Sequence, residues 1–387
     1  MPGSVLTLNA GSSTLKFALF DPSLRPLLRG VVDDLEHAPS LSASDASGRS
    51  VVERHDLQPD GAASIIRDLL DFTLAYSGDG GLGCVGHRIV HGGPDYATPV
   101  RIDADALAAL DRLTPLDPLH MPGSLAPVRA IAAAQPSLPQ IACFDTAFHH
   151  TLPREARTVA VPREYRDAGL RRYGFHGLSY EYVAAHLART APDLARGRVI
   201  VAHLGSGASL CAMQGGVSIA TTMGFSVLDG LVMATRCGSI DPGAILWLAR
   251  QGHAFEEIED MLYRRSGLLG VSGISGDMRV LLDSDDPRAA EAIDLFTYRI
   301  AVEAGGLATA LGGVDGLVFT GGIGEHSPEI RARVSQRLDW LGLHLDAAAN
   351  GVGAACISGT DSKIDVRVIP TDEEMTIARH ALSVVAA

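Results

Sequence analysis

Two short segments place glycine and hydroxyl residues where a chain can hold phosphate. NAGSSTLKF (9–17) and HLGSGASL (203–210) each set a Gly-Ser turn between apolar runs. Backbone N–H groups and hydroxyls at such a tip stand clear of bulky side chains and can donate several hydrogen bonds to phosphate oxygens at once. Ser12, Gly205 and Ser206 occupy those tips. A third cluster, GGIGEHSPEI (321–330), follows the apolar run LVFT and precedes a helix that Ser327 caps and Pro328 opens. Gly321, Gly322 and Gly324 there allow close backbone approach to a nucleotide. The hairpin tips are not P-loops: no G-K-[ST] is present, and a strand follows instead of a helix. GLGCVG (81–86) fits G-x-G-x-x-G literally, but a loop precedes it and a strand pattern follows, the reverse of a dinucleotide fingerprint.

The elements that must position these turns repeat. VLTLNAGSSTLKF (5–17) and VIVAHLGSGASLC (199–211) align at a constant offset, Gly11 with Gly205 and Ser12 with Ser206, and both read as strand, tight turn, strand. Leu15, Phe17 and Leu19 alternate onto one face, as in a half-buried strand. After each hairpin come further strand-then-helix signals, at 83–93 and 138–148, then at 315–334 and 365–382, with helical patterns at 61–77 and 287–311 between them. Alternating strands and helices indicate an α/β chain with mixed sheets covered by helices. The Ser/Asp-rich segment 38–50 reads as a surface loop or hairpin edge. A chain of 387 residues is too long for one core, so two domains are expected.

Composition narrows the classes. A formal charge of −13 argues against nucleic acid as a partner, since phosphate neutralisation needs basic patches. No apolar stretch reaches the roughly 18 residues that span a bilayer, and the N-terminus lacks the pattern of a signal peptide. The five cysteines are scattered without a C-x-x-C pair, so neither disulfides nor structural zinc are expected, and the cytoplasm is the expected compartment. The histidines of FHHT and HRIVH lack a carboxylate or cysteine at ligand spacing, which argues against a histidine metal site. All cations other than arginine are Lys16 and Lys363, so Lys16, alone among hydrophobics, stands out as a solvent- or cleft-facing side chain. Asp145 ends the apolar run QIACF, where a strand releases its side chain. T371-x-x-E374 reads as a capping box for the last helix, leaving Glu373 without a capping duty.

NAGSSTLKF, GHRIVHGG, FDTAFHHTLP, RRYGFHGLSYEYV, HLGSGASL, TTMGFSVLDGLVMATRCGSIDP, GVSGISGDM, FTGGIGEH and TDEEMTIAR occur in one order along essentially the whole chain. That ordered set resembles the acetate kinases of the acetate and sugar kinase, Hsp70 and actin superfamily. The resemblance implies two duplicated actin-like (ribonuclease H-like) domains, with mixed β-sheets flanked by helices and a nucleotide cleft between them. Residues 1–147 plus 371–387 would form the first domain and 148–370 the second. It further implies a homodimer that uses Mg²⁺, with Mn²⁺ as a substitute, to move the γ-phosphoryl group of ATP reversibly onto acetate, giving acetyl phosphate and ADP.

The chemistry has one evident obstacle. Two unit charges about 4 Å apart at an effective dielectric of about 20 repel by roughly 4 kcal/mol, and a carboxylate must meet an anionic phosphoryl group. Cations stabilise that encounter best where charge spreads onto the transferring group. By resemblance, Arg88 and Arg236 supply guanidinium forks suited to carboxylate and phosphoryl oxygens, and His176 donates to the transferring phosphoryl. Acetate is already ionised at neutral pH, so Asp145 is assigned to organising magnesium and its waters, with general base the lesser role. Asn9 and Glu373 are linked to the metal, with Asn9 also facing the phosphates. His203, Gly207 and Glu325 join Ser12, Lys16, Gly205, Ser206 and the glycines 321, 322 and 324 around the nucleotide. Val90, Leu119, Phe175 and Val227 line the acyl pocket.

Three positions depart from the family pattern. Val227 stands where proline is usual, which opens the pocket question toward propionate or butyrate. Ser206 and Met121 each replace an asparagine, which points to weaker ATP affinity or a different phosphoryl donor. A non-catalytic ATP-binding module on the same scaffold is the remaining alternative, and it would need neither the paired arginines nor an acyl pocket.

Overall fold

The computed structural model describes residues 3–11, 14–35, 38–55, 62–78 and 80–387. The chain forms two compact units, one taking residues up to Ala147 together with Asp372–Ala387, the other Phe148–Thr371.

The first unit is built on a sheet of β1 (Ser4–Ala10), β2 (Leu15–Phe20), β3 (Pro26–Asp33), β4 (Ser40–Asp45), β5 (Ser50–Arg54), β6 (Leu82–Ile89), β7 (Val100–Arg101) and β8 (Gln140–Phe144), in the order β5-β4-β3-β2-β1-β6-β8-β7. The Ser/Asp-rich segment is the β4–β5 hairpin at one edge. The second unit carries β9 (Arg198–Leu204), β10 (Ala208–Gln214), β11 (Val217–Thr221), β12 (Gly316–Thr320) and β13 (Asp365–Val368), in the order β11-β10-β9-β12-β13. Each sheet therefore contains the same five-strand core, third-second-first-fourth-fifth. In both, the first three strands are antiparallel and the last two run parallel to the first. The repeat seen in the two hairpins extends to this five-strand core.

The constant offset holds only through the first strand and the start of the turn. Asn9 pairs with Lys16, whereas His203 pairs with Ser209, so the second turn is one residue shorter and its return strand is displaced in the alignment.

The central strands are buried along nearly their whole length because both sheet faces are covered. β1 and β8 are buried at every position. In β2 the half-buried expectation gives way: Ala18 and Phe20 are buried as well as Leu15, Phe17 and Leu19, and Lys16 alone is exposed. One face packs with the helix Ala62–Tyr76 through Leu6, Leu8, Phe17, Ile65 and Leu69. The other face, carrying Thr7, Ala18 and Gly86, lies under the C-terminal helix Glu373–Ala386. A Cβ built on Gly86 would stand 2.5 Å from Ile377 Cγ2 and 3.3 Å from the Ile377 carbonyl oxygen, so glycine is required for that helix to seat.

In the second unit the helix Gly177–Thr190 packs Tyr180, Val183 and Leu187 on Val199, Val201, Cys211, Met213 and Val318. The 25-residue helix Pro287–Leu311 contacts β9, β10 and β11. Its cap, Asp286, accepts from Arg288 N, and Gly312 in the left-handed region ends it.

Candidate active site

Strand periodicity gathers the polar residues of the first unit. Successive side chains alternate faces, so Asn9 shares a face with Thr7, Lys16 with Ala18, and Arg88 with Gly86. This is the face under the C-terminal helix, and all three lie at the ends of their strands beside its first turn. Asn9 Nδ2 donates to Glu373 Oε2 at 2.9 Å and to Glu374 Oε1 at 3.3 Å. Asp145 follows β8 directly, its backbone N–H held by the Ile89 carbonyl at 3.0 Å, and its side chain is 1% exposed. Arg88 Nε donates to Asp145 Oδ2 at 2.9 Å, and its Nη2 meets the same oxygen. Burial alone would lower the Arg88 pKa, but the charges of Asp145, Glu373 and Asp117 hold it above the ordinary value. Arg88 is thus a permanent cation in a poorly hydrated place.

The start of the C-terminal helix corrects one expectation. Thr371 does not form a capping box with Glu374. The N-cap is Asp372, which accepts from Met375 N at 2.9 Å. Thr371 instead sends its hydroxyl to Ser179 Oγ at 2.8 Å and its N–H to Glu325 Oε1 at 3.0 Å. Relieved of capping, Glu374 belongs to the acidic pair on Asn9. Burial raises its pKa first, and the neighbouring charge of Glu373 raises it further, while Lys16 opposes both. Among the described residues no group of three or more His, Cys, Asp and Glu is arranged to hold a metal. Glu373 and Glu374, held together by the Asn9 amide, nevertheless form a pair of hard oxygen donors whose excess negative charge fits Mg²⁺ or Mn²⁺, ions that take one or two protein carboxylates and complete their shell with water and substrate phosphate.

In the second unit the shortened hairpin and the glycine cluster lie together. Gly205, Ser206, Gly322 and Ile323 line a cavity of about 760 Å³. The same cavity is lined by Gly276, Asp277, Met278, Arg279 and Leu282, a stretch beginning in the GVSGISGDM motif. The glycines 321, 322 and 324 belong to a short helix, Gly321–His326, in place of a plain loop; the next helix, Pro328–Arg337, starts as expected with Ser327 accepting from Ile330 N. Glu325 turns Oε1 inward, accepting from Gly321 N at 2.8 Å and from Thr371 N at 3.0 Å, so its direct work is to hold the glycine turn.

Arg236 and His176 flank the same hairpin. A Cβ on Gly207 would lie 3.1 Å from Arg236 Nη2 and 3.3 Å from His176 Nε2, so both side chains approach this turn closely and would have to shift by a few tenths of an ångström to admit one. Arg236 Nη1 donates to the Val227 carbonyl at 2.9 Å. His176 adopts the left-handed region, φ 59°, at the N-cap of Gly177–Thr190, and its ring stacks on His203 with centroids 4.3 Å apart. The preceding residue, Phe175, is fixed through its carbonyl by His149 Nε2 at 3.0 Å, while His149 Nδ1 meets Ser218 Oγ at 2.8 Å. Burial pushes the His149 pKa down to about 4, so the ring is neutral and donates from Nε2. No spacing rule marked His149; its partners come from distant strands and turns.

Of the acyl-pocket residues, Val90 and Leu119 lie in the first unit, Phe175 and Val227 in the second; Val90, Phe175 and Val227 are buried and Leu119 half-buried. Ser12 lies outside the described residues.

Residues 4–379 match the acetokinase family, and the chain belongs to that family. It is therefore a kinase with a carboxylate acceptor. The acetate kinase of Rhodopseudomonas palustris is 50% identical over 392 residues, covering 98% of each chain, and that of Rhizobium meliloti is 47% identical over 99% of each. Among solved structures, a propionate kinase from Francisella tularensis superposes with a TM-score of 0.92 at 35% identity, over 98% of this chain and 99% of that one. The Porphyromonas gingivalis acetate kinase gives 0.87 at 35% identity, with the same coverage.

The raised pKa of Glu374 makes a stability prediction. A carboxyl group whose folded pKa exceeds its unfolded value binds more protons when folded, so stability falls as pH rises from the ordinary value of 4.5 through the folded pKa, and the penalty is constant above it. Glu374→Gln is expected to raise the denaturant midpoint of the metal-free protein at pH 7, with the gain vanishing below about pH 4. Denaturation curves across that range check it; a loss of stability at pH 7 contradicts the raised Glu374 pKa.

Proposed function

We propose that this protein is an acetate kinase that moves the γ-phosphoryl group of ATP reversibly and in line onto acetate, giving acetyl phosphate and ADP. The observation that carries the reading is the Arg88 guanidinium clamped by Asp145 at the ends of the parallel strands β6 and β8, in a chain whose residues 4–379 match the acetokinase family. Arg88 and Arg236 offset the repulsion between the acceptor carboxylate and the phosphoryl oxygens, which spacing and dielectric put at about 4 kcal/mol. His176 donates from Nε2 to the transferring group. The glycine-rich turns at 205–207 and 321–324, with the cavity they line, take the nucleotide. Asn9, Glu373 and Glu374 would hold magnesium, with Asp145 orienting its waters, and the bound ion neutralises phosphate charge.

A second reading has its own observation. Val227 stands where the family usually has proline, and the structural relative from Francisella tularensis is a propionate kinase. One methylene is worth about 0.8 kcal/mol, close to fourfold, so the acyl preference is shallow. Trapping the acyl phosphate as a hydroxamate, with ATP, Mg²⁺ and either acid, tests both readings. The expected result is product from both acids, with kcat/KM for acetate higher or within about fourfold of propionate. Acetate trailing by more than tenfold moves the assignment to propionate, and no hydroxamate from folded protein removes the kinase reading.

We also propose a homodimer. Its support is the helix Pro242–Arg250, none of whose residues is buried, with Ile240, Leu246, Trp247 and Phe255 exposed beside one another in sequence. An apolar group of that size is usually covered by a partner. Light scattering should give twice the mass of one chain at micromolar concentration; a single-chain mass contradicts it.

A further inference from the structure

We propose that Tyr180 and Ser209 are positioning residues that fix His176 in the tautomer with its proton on Nε2. The inference rests on the kinase reading only for what the Nε2 proton then does.

Three side chains make the relay, all within the second unit. Ser209 sits on β10 opposite His203 and so shares a face with Cys211 and Met213, the face that Tyr180 packs upon. The Tyr180 hydroxyl lies 2.5 Å from Ser209 Oγ, and Ser209 Oγ lies 2.8 Å from His176 Nδ1.

Donor counting gives the relay a direction. Tyr180 is fully buried, and among the described residues Ser209 Oγ is the one hydrogen-bond partner of its hydroxyl. A phenol carries one proton, and leaving it without an acceptor forfeits its hydration with nothing in return. Tyr180 therefore donates to Ser209. Ser209 has one proton as well, and its other partner is His176 Nδ1, so Ser209 donates there. Nδ1 must then be the lone-pair nitrogen, which puts the proton of neutral imidazole on Nε2. The Nε2 edge is the one beside the Gly207 turn and Arg236 Nη2. Burial also keeps Tyr180 a phenol by raising its pKa well above the ordinary value, so the relay does not reverse in the physiological range.

The consequence is a donor aimed in advance. The relay decides which nitrogen of neutral His176 carries the proton. With it, the nitrogen facing the phosphate-holding hairpin is always the donor. Tyr180 and Ser209 touch no reacting atom in this account; they act through His176.

Long-range proton–nitrogen NMR on the full chain carrying ¹⁵N-labelled histidine tests this directly, with the His176 resonances assigned by their absence in His176→Gln. The expected spectrum shows a lone-pair nitrogen at Nδ1 and a protonated one at Nε2; the opposite pattern overturns the proposal. Tyr180→Phe, which preserves the ring and its packing, releases Ser209 to rotate. It should give a mixture of tautomers and lower kcat about two- to tenfold, the worth of one hydrogen bond, with KM for both substrates within about twofold. Wild-type tautomer and wild-type kcat in Tyr180→Phe also overturn it. The spectrum needs no activity, so a wild-type protein with the expected tautomer and no phosphoryl transfer supports the relay while refuting the kinase reading.

Discussion

A cation held where water is scarce is the constraint on which the first unit depends. Arg88 is 16% exposed at its side chain and Asp145 1%, and breaking such a pair from one side would leave an uncompensated buried charge, typically about 3–5 kcal/mol. The strands that place the pair cannot slip, because a one-residue shift would send Arg88 into the apolar face occupied by Leu6, Leu8 and Val85. The register that protects the core therefore also aims the guanidinium. The same periodicity brings Asn9 and Lys16 to the end of the sheet, where the acidic first turn of the last helix meets them.

The second unit repeats the topology and changes the chemistry. Asn9 and His203 occupy equivalent places on the first strand of each core, and Lys16 and Ser209 on the second. Each pair lies at the strand ends beside the start of a helix packed on that sheet face, Glu373–Ala386 in one unit and Gly177–Thr190 in the other. One copy gathers carboxylates suited to a divalent ion, the other imidazoles and hydroxyls suited to orienting protons. Deleting one residue from the second turn was enough to bring Ser209, rather than a leucine, opposite the first-strand polar residue.

What the sequence made legible followed from local rules. The apolar-rich strands, the β4–β5 hairpin, the cap at Ser327 and the helix 287–311 each carry their own signal, and Asp145 was readable because a polar residue ending a buried strand has few places to go. Family resemblance, not spacing, singled out Arg88 and Arg236 among thirty arginines. The misses share a physical cause. Thr371 and Glu374 satisfied the pattern of a capping box, yet a tertiary hydrogen bond to Ser179 took the threonine and Asp372 became the cap. His149, Ser209 and Tyr180 work through partners on other elements, and Asp277–Leu282 joins the glycine turns around one cavity only once the chain has folded.

The central claim is that a guanidinium at position 88 makes the meeting of two anions tolerable, and chemical rescue tests it most directly. Arg88→Ala should lower kcat by about 100-fold or more, and millimolar guanidinium should restore part of it where the same concentration of tetramethylammonium does not. A folded Arg88→Ala protein that turns over within about twofold of wild type without any added cation would contradict the account.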